Sequence, residues 1–96
     1  MQPTKCDIHY VEFDPRFECL YIQLSQEKVS KTIEHSDHIN IDLDKKGGIV
    51  GIEFVGIKNV AKRFNAVFSD IGKIYNRPEL NEVPKQLKQN LSRLVA

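Results

Sequence analysis

Cysteine is scarce in this chain, with Cys6 and Cys19 alone among 96 residues. A small secreted scaffold stapled by several disulfides is thereby excluded, and the two thiols are predicted to be free. Long apolar runs are also missing. No stretch approaches the roughly 20 apolar residues that a membrane-spanning helix needs. The opening Met1-Gln2-Pro3-Thr4-Lys5 is polar and lacks the apolar region of a signal peptide. The expected location is the cytoplasm, with no membrane partner. There is no internal repeat, no low-complexity tract and no stretch that reads as an interdomain linker, so residues 1–96 are expected to form a single domain.

A large charge of one sign is absent too, because the formal net charge is +1. That balance conceals a division. Residues 1–56 carry six basic and ten acidic side chains, a net of −4, whereas residues 57–96 carry eight basic and three acidic ones, a net of +5. Such a split suggests different partners for the two halves.

What the sequence does have is a series of short runs rich in Ile, Val, Leu, Tyr and Phe, separated by polar turn residues. Their spacing predicts five strands, at roughly 8–13, 19–24, 29–35, 38–44 and 49–55. Turns fall at Asp14-Pro15-Arg16, Ser25-Gln26-Glu27-Lys28, Ser36-Asp37 and Lys45-Lys46-Gly47-Gly48. Side chains alternate across a strand, so Val11, Phe13, Leu20, Ile22, Leu24, Val29, Ile33, Ile39, Ile41, Leu43, Val50, Ile52 and Phe54 can share a core face. The other face carries Tyr21, Gln23, Thr32, Asn40, Asp42, Gly51 and Glu53 and is expected to be wet. Lys31 points inward in this register, which places it at an edge or a bulge.

After Gly56 the apolar period changes from 2 to 3.6. Ile57, Val60, Ala61, Phe64, Val67, Phe68, Ile71 and Ile74 make one stripe of a helix over 57–75, with Gly72 inside the pattern. A loop over 76–83 follows, and Pro84 opens a second amphipathic helix over 84–95. The fold class is therefore α+β: an antiparallel five-stranded β-meander over 1–56, with two C-terminal amphipathic helices packed on one face.

Four segments carry a resemblance. They are Phe13-Asp14-Pro15, Cys19-Leu20-Tyr21-Ile22-Gln23-Leu24, Ile39-Asn40-Ile41-Asp42-Leu43-Asp44 and Gly48-Ile49-Val50-Gly51-Ile52-Glu53-Phe54. In order and spacing they resemble the bacterial domain-of-unknown-function 2283 family over residues 13–57. Glu18-Cys19 departs from the more usual Asp-Ala before Leu-Tyr. The resemblance implies a small β-rich protein of unassigned biochemistry, with some relatives encoded beside small toxin-like proteins. The same residues also read as structural, since pairing Leu43 with Val50 sets Ile41 against Ile52 and Asp42 against Gly51. Asp44 can then accept hydrogen bonds from the amides of the Lys45–Gly48 turn.

Three constellations invite a chemical reading. Cys6-x-x-His9 with His35-x-x-His38 offers zinc-type ligands. A meander, however, puts the start of strand one and the loop after strand three at opposite ends, about 20 Å apart. No metal site is predicted, and no disulfide between Cys6 and Cys19. Asp42, Asp44 and Glu53 could hold a hard cation or supply a general base, but a wet strand face ordinarily carries such residues. Gly47-Gly48-x-x-Gly51 opens a strand rather than the helix that a phosphate-binding turn requires. No cofactor and no catalytic residue is assigned, and the chain is not read as an enzyme.

The leading expectation is a non-enzymatic protein-interaction module, self-associating as a homo-oligomer or binding a small, possibly toxin-like, protein partner. Val83, Leu87, Leu91 and Leu94 of the second helix are the expected contact residues, since they exceed what one sheet and one helix need. The alternative is a nucleic-acid-binding protein that contacts phosphates through Lys58, Lys62, Arg63, Lys73, Lys85, Lys88 and Arg93.

Overall fold

The computed structural model describes residues 8–87. They fall into two compact units, one ending at Lys62 and holding the sheet, the other beginning at Arg63 and holding the helices.

The five expected strands all form: β1 (Tyr10–Asp14), β2 (Cys19–Gln23), β3 (Lys31–Ser36), β4 (Ile39–Leu43) and β5 (Ile49–Phe54). Every neighbouring pair is antiparallel, but the order across the sheet is β1-β2-β5-β4-β3. The meander order is thus corrected, because β5 inserts beside β2 and β3 moves to the edge. Burial supplies the reason. A central strand loses solvent on its flanks, which suits the nearly continuous apolar run of β5, where Ile49, Val50, Ile52 and Phe54 are all buried. Strand β3, carrying Lys31, Thr32 and Glu34, remains exposed along most of its length. Lys31 takes the edge position expected of it. The chain from Leu24 to Ser30 makes the crossing, held by Leu24 and Ser25 amides donating to the Val50 carbonyl at 2.8 and 3.2 Å.

Register follows the expected alternation across most of the sheet. One row runs Val11, Ile22, Ile52, Ile41, Ile33, and the next runs Glu12, Tyr21, Glu53, Asn40, Glu34. Ile22, Ile41 and Ile52 are fully buried, so the first row lies on the core face. Asp42 does pair with Gly51, but a bulge between Asp42 and Leu43 sets Leu43 against Ile49 instead of Val50. At the periphery Phe13 is 39% exposed and Val29 lies outside β3 at 46% exposed, so neither belongs to the expected core. In the β4–β5 turn the Asp44 carboxylate accepts from the amides of Lys46 at 2.9 Å and Gly48 at 2.8 Å, as its position suggested. Gly47 takes the left-handed conformation there, with φ +86°.

The single helix expected over 57–75 is shorter. Two 3-10 turns, Ile57–Asn59 and Ala61–Arg63, precede α1, which spans Phe64–Ile74. Gly56 at φ +68° starts the first turn, and Ile57, Asn59 and Val60 are weak helix formers. Val67, Phe68 and Ile71 form the buried stripe of α1, whereas Ile74 is 62% exposed at its end. The helix closes in a Schellman motif, with Asn76 left-handed at φ 55° and the Arg77 amide donating to the Gly72 carbonyl at 2.7 Å. A 3-10 turn at Pro78–Glu82 fills much of the expected loop and buries Leu80. A second helix, α2, then begins at 83 and is described as far as 87.

Candidate functional site

The residues of the sheet that can act chemically converge on its polar face. Tyr21 stands on β2 two rows from the one shared by Gly51 and Asp42, on the same face. Its ring reaches diagonally over Gly51, where a Cβ would lie 2.0 Å from the phenol oxygen. Only glycine admits that path. At its end the Tyr21 hydroxyl donates to Asp42 Oδ2 at 2.9 Å, and Thr32 Oγ1 on β3 donates to Asp42 Oδ1 at 2.5 Å. One carboxylate on β4 therefore ties β2 and β3 across the width of four strands. Beside it, Asn40 Nδ2 donates to Glu53 Oε1 at 3.1 Å.

Electrostatics assign the proton. Burial, the hydrogen bond to Asp42 and the charges of Asp42 and Glu53 push the Tyr21 hydroxyl up to about 12. At neutral pH it is a proton donor held to a carboxylate. The arrangement acts as a brace that fixes strand register.

The acidic trio of Asp42, Asp44 and Glu53 does not form a shared site. Asp42 serves Tyr21 and Thr32, Asp44 serves its own turn, and Glu53 faces Asn40. Among the described residues no group of three or more His, Cys, Asp or Glu side chains could hold a metal ion. His9 precedes β1, while His35 and His38 flank the far end of β3, at the opposite edge of the sheet and the opposite end of its strands. His38 Nδ1 lies 3.2 Å from the Val55 carbonyl oxygen. Cys6 lies outside the described residues, and Cys19 is a half-buried free thiol.

The expected contact stripe of α2 is described in part. Val83 and Leu87 are buried within the chain, so they are unavailable as an exposed docking surface, and Leu91 and Leu94 lie outside the described residues. Of the expected phosphate contacts, Lys58 pairs with Glu18 at 3.2 Å. Lys62, Arg63, Lys73 and Lys85 are exposed, and Lys88 and Arg93 are not among the described residues. Arg77 is engaged by Glu79. No helix is long and apolar enough to cross a membrane among the described residues.

Two features were not read from the sequence. One is the Tyr21–Asp42–Thr32 network, for which the Asp42–Gly51 pairing was the available signal. The other is a set of exposed aromatic side chains at the sheet edge: Tyr10 on the polar face and Phe13 on the core face of β1, and Phe17 in the following turn, are 50%, 39% and 66% exposed. Arg16 lies 5.4 Å from the Phe17 ring centre and also bonds the Asp14 carboxylate. An aromatic residue in a polar turn was the signal there.

The fold class is α+β, with an antiparallel sheet that has one apolar and one polar face. The family model described as protein of unknown function (DUF2283) matches residues 10–58, about half the chain, and the protein belongs to that family. The match spans all five strands, and Tyr21, Asp42, Gly51 and Glu53 of the polar face lie within it. No curated protein and no solved structure matches the chain.

Proposed function

We propose that this protein is a non-enzymatic interaction module that associates with itself or with a small protein partner. The observation that supports the reading is the exposure of three aromatic side chains at one sheet edge, Tyr10 and Phe13 on opposite faces of β1 and Phe17 in its turn. Aromatic side chains offer large contact area at low entropic cost and are enriched in protein interfaces. Among the described residues β1 has no neighbour on its outer side, so its outward backbone donors and acceptors lie along the same edge. The contact element accordingly moves from the second helix to β1 and its turn.

Phe17→Ser and Phe13→Ser remove this surface at exposed positions. Both are expected to keep the circular dichroism of the parent while lowering its mass in light scattering or its retention of a partner in pull-downs from its host. Unchanged mass and unchanged retention would reject the aromatic surface as the contact. The nucleic-acid reading keeps Lys62, Arg63, Lys73 and Lys85 as exposed cations and is tested separately by salt dependence.

A further inference from the structure

The two edges of the sheet are not alike. On β3, Lys31 occupies a position on the core-facing side opposite Leu43, and the register shifts between Glu34 and Ser36. A lysine on an edge strand and a bulge are two devices by which sheets prevent a further strand from adding to an edge. Strand β1 has neither. Its five pairs with β2, from Tyr10–Gln23 to Asp14–Cys19, run without a shift, and it carries no lysine, proline or glycine. Its aromatic side chains are exposed, and the Asp14 charge is already met by Arg16 at 3.3 Å. Among the described residues one edge is guarded and the other is open.

We infer that β1 is the site at which a second copy of this chain docks, the two β1 strands pairing antiparallel about a two-fold axis through Val11 to make one continuous sheet. This rests on the self-associating form of the function proposed above, and the register follows from charge. A two-fold axis perpendicular to the sheet keeps core faces aligned only when it passes through a residue, because opposed residues must share a face. Three interior residues of β1 are available. Centring on Glu12 opposes Glu12 to its own copy, and centring on Phe13 opposes Glu12 to Asp14. Both place like charges directly across the junction, which is destabilising. Centring on Val11 opposes Val11 to Val11 on the core face and Tyr10 to Glu12, twice, on the polar face. No two acids meet, and phenol and carboxylate are complementary hydrogen-bonding groups. Such a pairing is closed, since the symmetry uses each open edge once and leaves two guarded β3 edges outward.

The test is sedimentation equilibrium of the full chain over a concentration series, with a charge swap to read the register. The parent is expected to dimerise reversibly. Tyr10→Glu, at a half-exposed position, puts acid against acid at two places and should raise the dissociation constant roughly tenfold. Adding Glu12→Lys to that variant opposes unlike charges and should restore the dimer. Amide hydrogen exchange on the parent gives a second readout, with residues 10–14 more protected at high than at low protein concentration. A dimer indifferent to Tyr10→Glu, or one that Glu12→Lys does not rescue, overturns the β1 junction and leaves self-association through another surface standing. A parent that stays monomeric but retains a different protein overturns the inference while the interaction reading survives; a monomer with no partner overturns both.

Discussion

Tyr21 and Asp42 stand two strands apart, and the hydroxyl of one donates to the carboxylate of the other at 2.9 Å across the bare backbone of Gly51. The bond exists because β5 lies between β2 and β4 and offers no side chain at the crossing point. Gly51→Ala should therefore destabilise the protein by about 1–3 kcal/mol, the usual cost of overpacking, despite adding a single methyl. Tyr21→Phe should cost about 1–2 kcal/mol by leaving Asp42 with Thr32 alone. Denaturant melts compare both with the parent. A neutral Gly51→Ala would mean that the ring does not lie over β5.

The same bond gives a pH signature. The Tyr21 hydroxyl is pushed up from 10.0 to about 12, so the folded state holds this proton more tightly than the unfolded chain does. Its contribution is complete below pH 10 and is lost as pH rises from 10 through about 12. Stability of the parent should fall more steeply over that window than stability of Tyr21→Phe. Parallel pH profiles would remove Asp42 as the partner of the phenol.

The core rows make a sharper stability prediction. Ile41→Ala and Ile52→Ala each remove a fully buried side chain and should cost roughly 2–5 kcal/mol. Asp42→Asn keeps an acceptor for one hydroxyl and should cost less. The reverse order in equilibrium melts would place the register one residue away, exchanging the two faces.

How far the sequence led can be judged from these residues. Ile41, Ile52, Asp42 and Gly51 were legible as two pairs because strict alternation leaves a hairpin one register that buries its apolar set. The β2-to-β5 pairing was not, since alternation gives faces and says nothing about neighbours. A clue was present in composition: β3 offers Ile33 amid Lys31, Thr32 and Glu34, whereas β5 is apolar nearly throughout. Ranking strands by apolar content would have put β5 inside and β3 outside. The brace was hidden behind that step, because Tyr21 reaches Asp42 only if β5 separates them.

Gly72 tests how backbone geometry competes with helix propensity. Replacing glycine with alanine inside an exposed helix ordinarily gains about 1 kcal/mol. Here the added Cβ would sit 2.8 Å from the Arg77 carbonyl oxygen, which belongs to the folded-back Schellman closure. A backbone oxygen cannot turn aside as a flexible side chain can. Gly72→Ala is therefore expected to lower the thermal midpoint; a rise would show that the closure relaxes freely.

The nucleic-acid alternative stands or falls on salt. Binding through cations releases counterions from the phosphates, so affinity should drop steeply as ionic strength rises, and Lys85→Glu with Lys88→Glu should abolish it. Failure to retain short duplexes or single strands at about 50 mM salt retires that reading.

The second helix separates an assembly element from part of the fold. By sequence, Val83, Leu87, Leu91 and Leu94 read as a surplus stripe, whose removal would change mass and leave the sheet intact. Val83 and Leu87 are instead 0% and 1% exposed, and a side chain withdrawn from water in the monomer contributes to folding whether or not a partner exists. Leu87→Ala should accordingly cost about 2–5 kcal/mol, while Lys85→Ala, exposed one half-turn earlier, should change stability by less than about 0.5 kcal/mol. Ending the chain after Glu82 removes both buried residues at once and should lower the unfolding midpoint in circular dichroism far more than Lys85→Ala does. Light scattering on the same truncated protein reports its mass. A fold of parental stability with altered mass would return the helix to its role as a docking element, because only an uncovered stripe can be deleted without cost to the monomer.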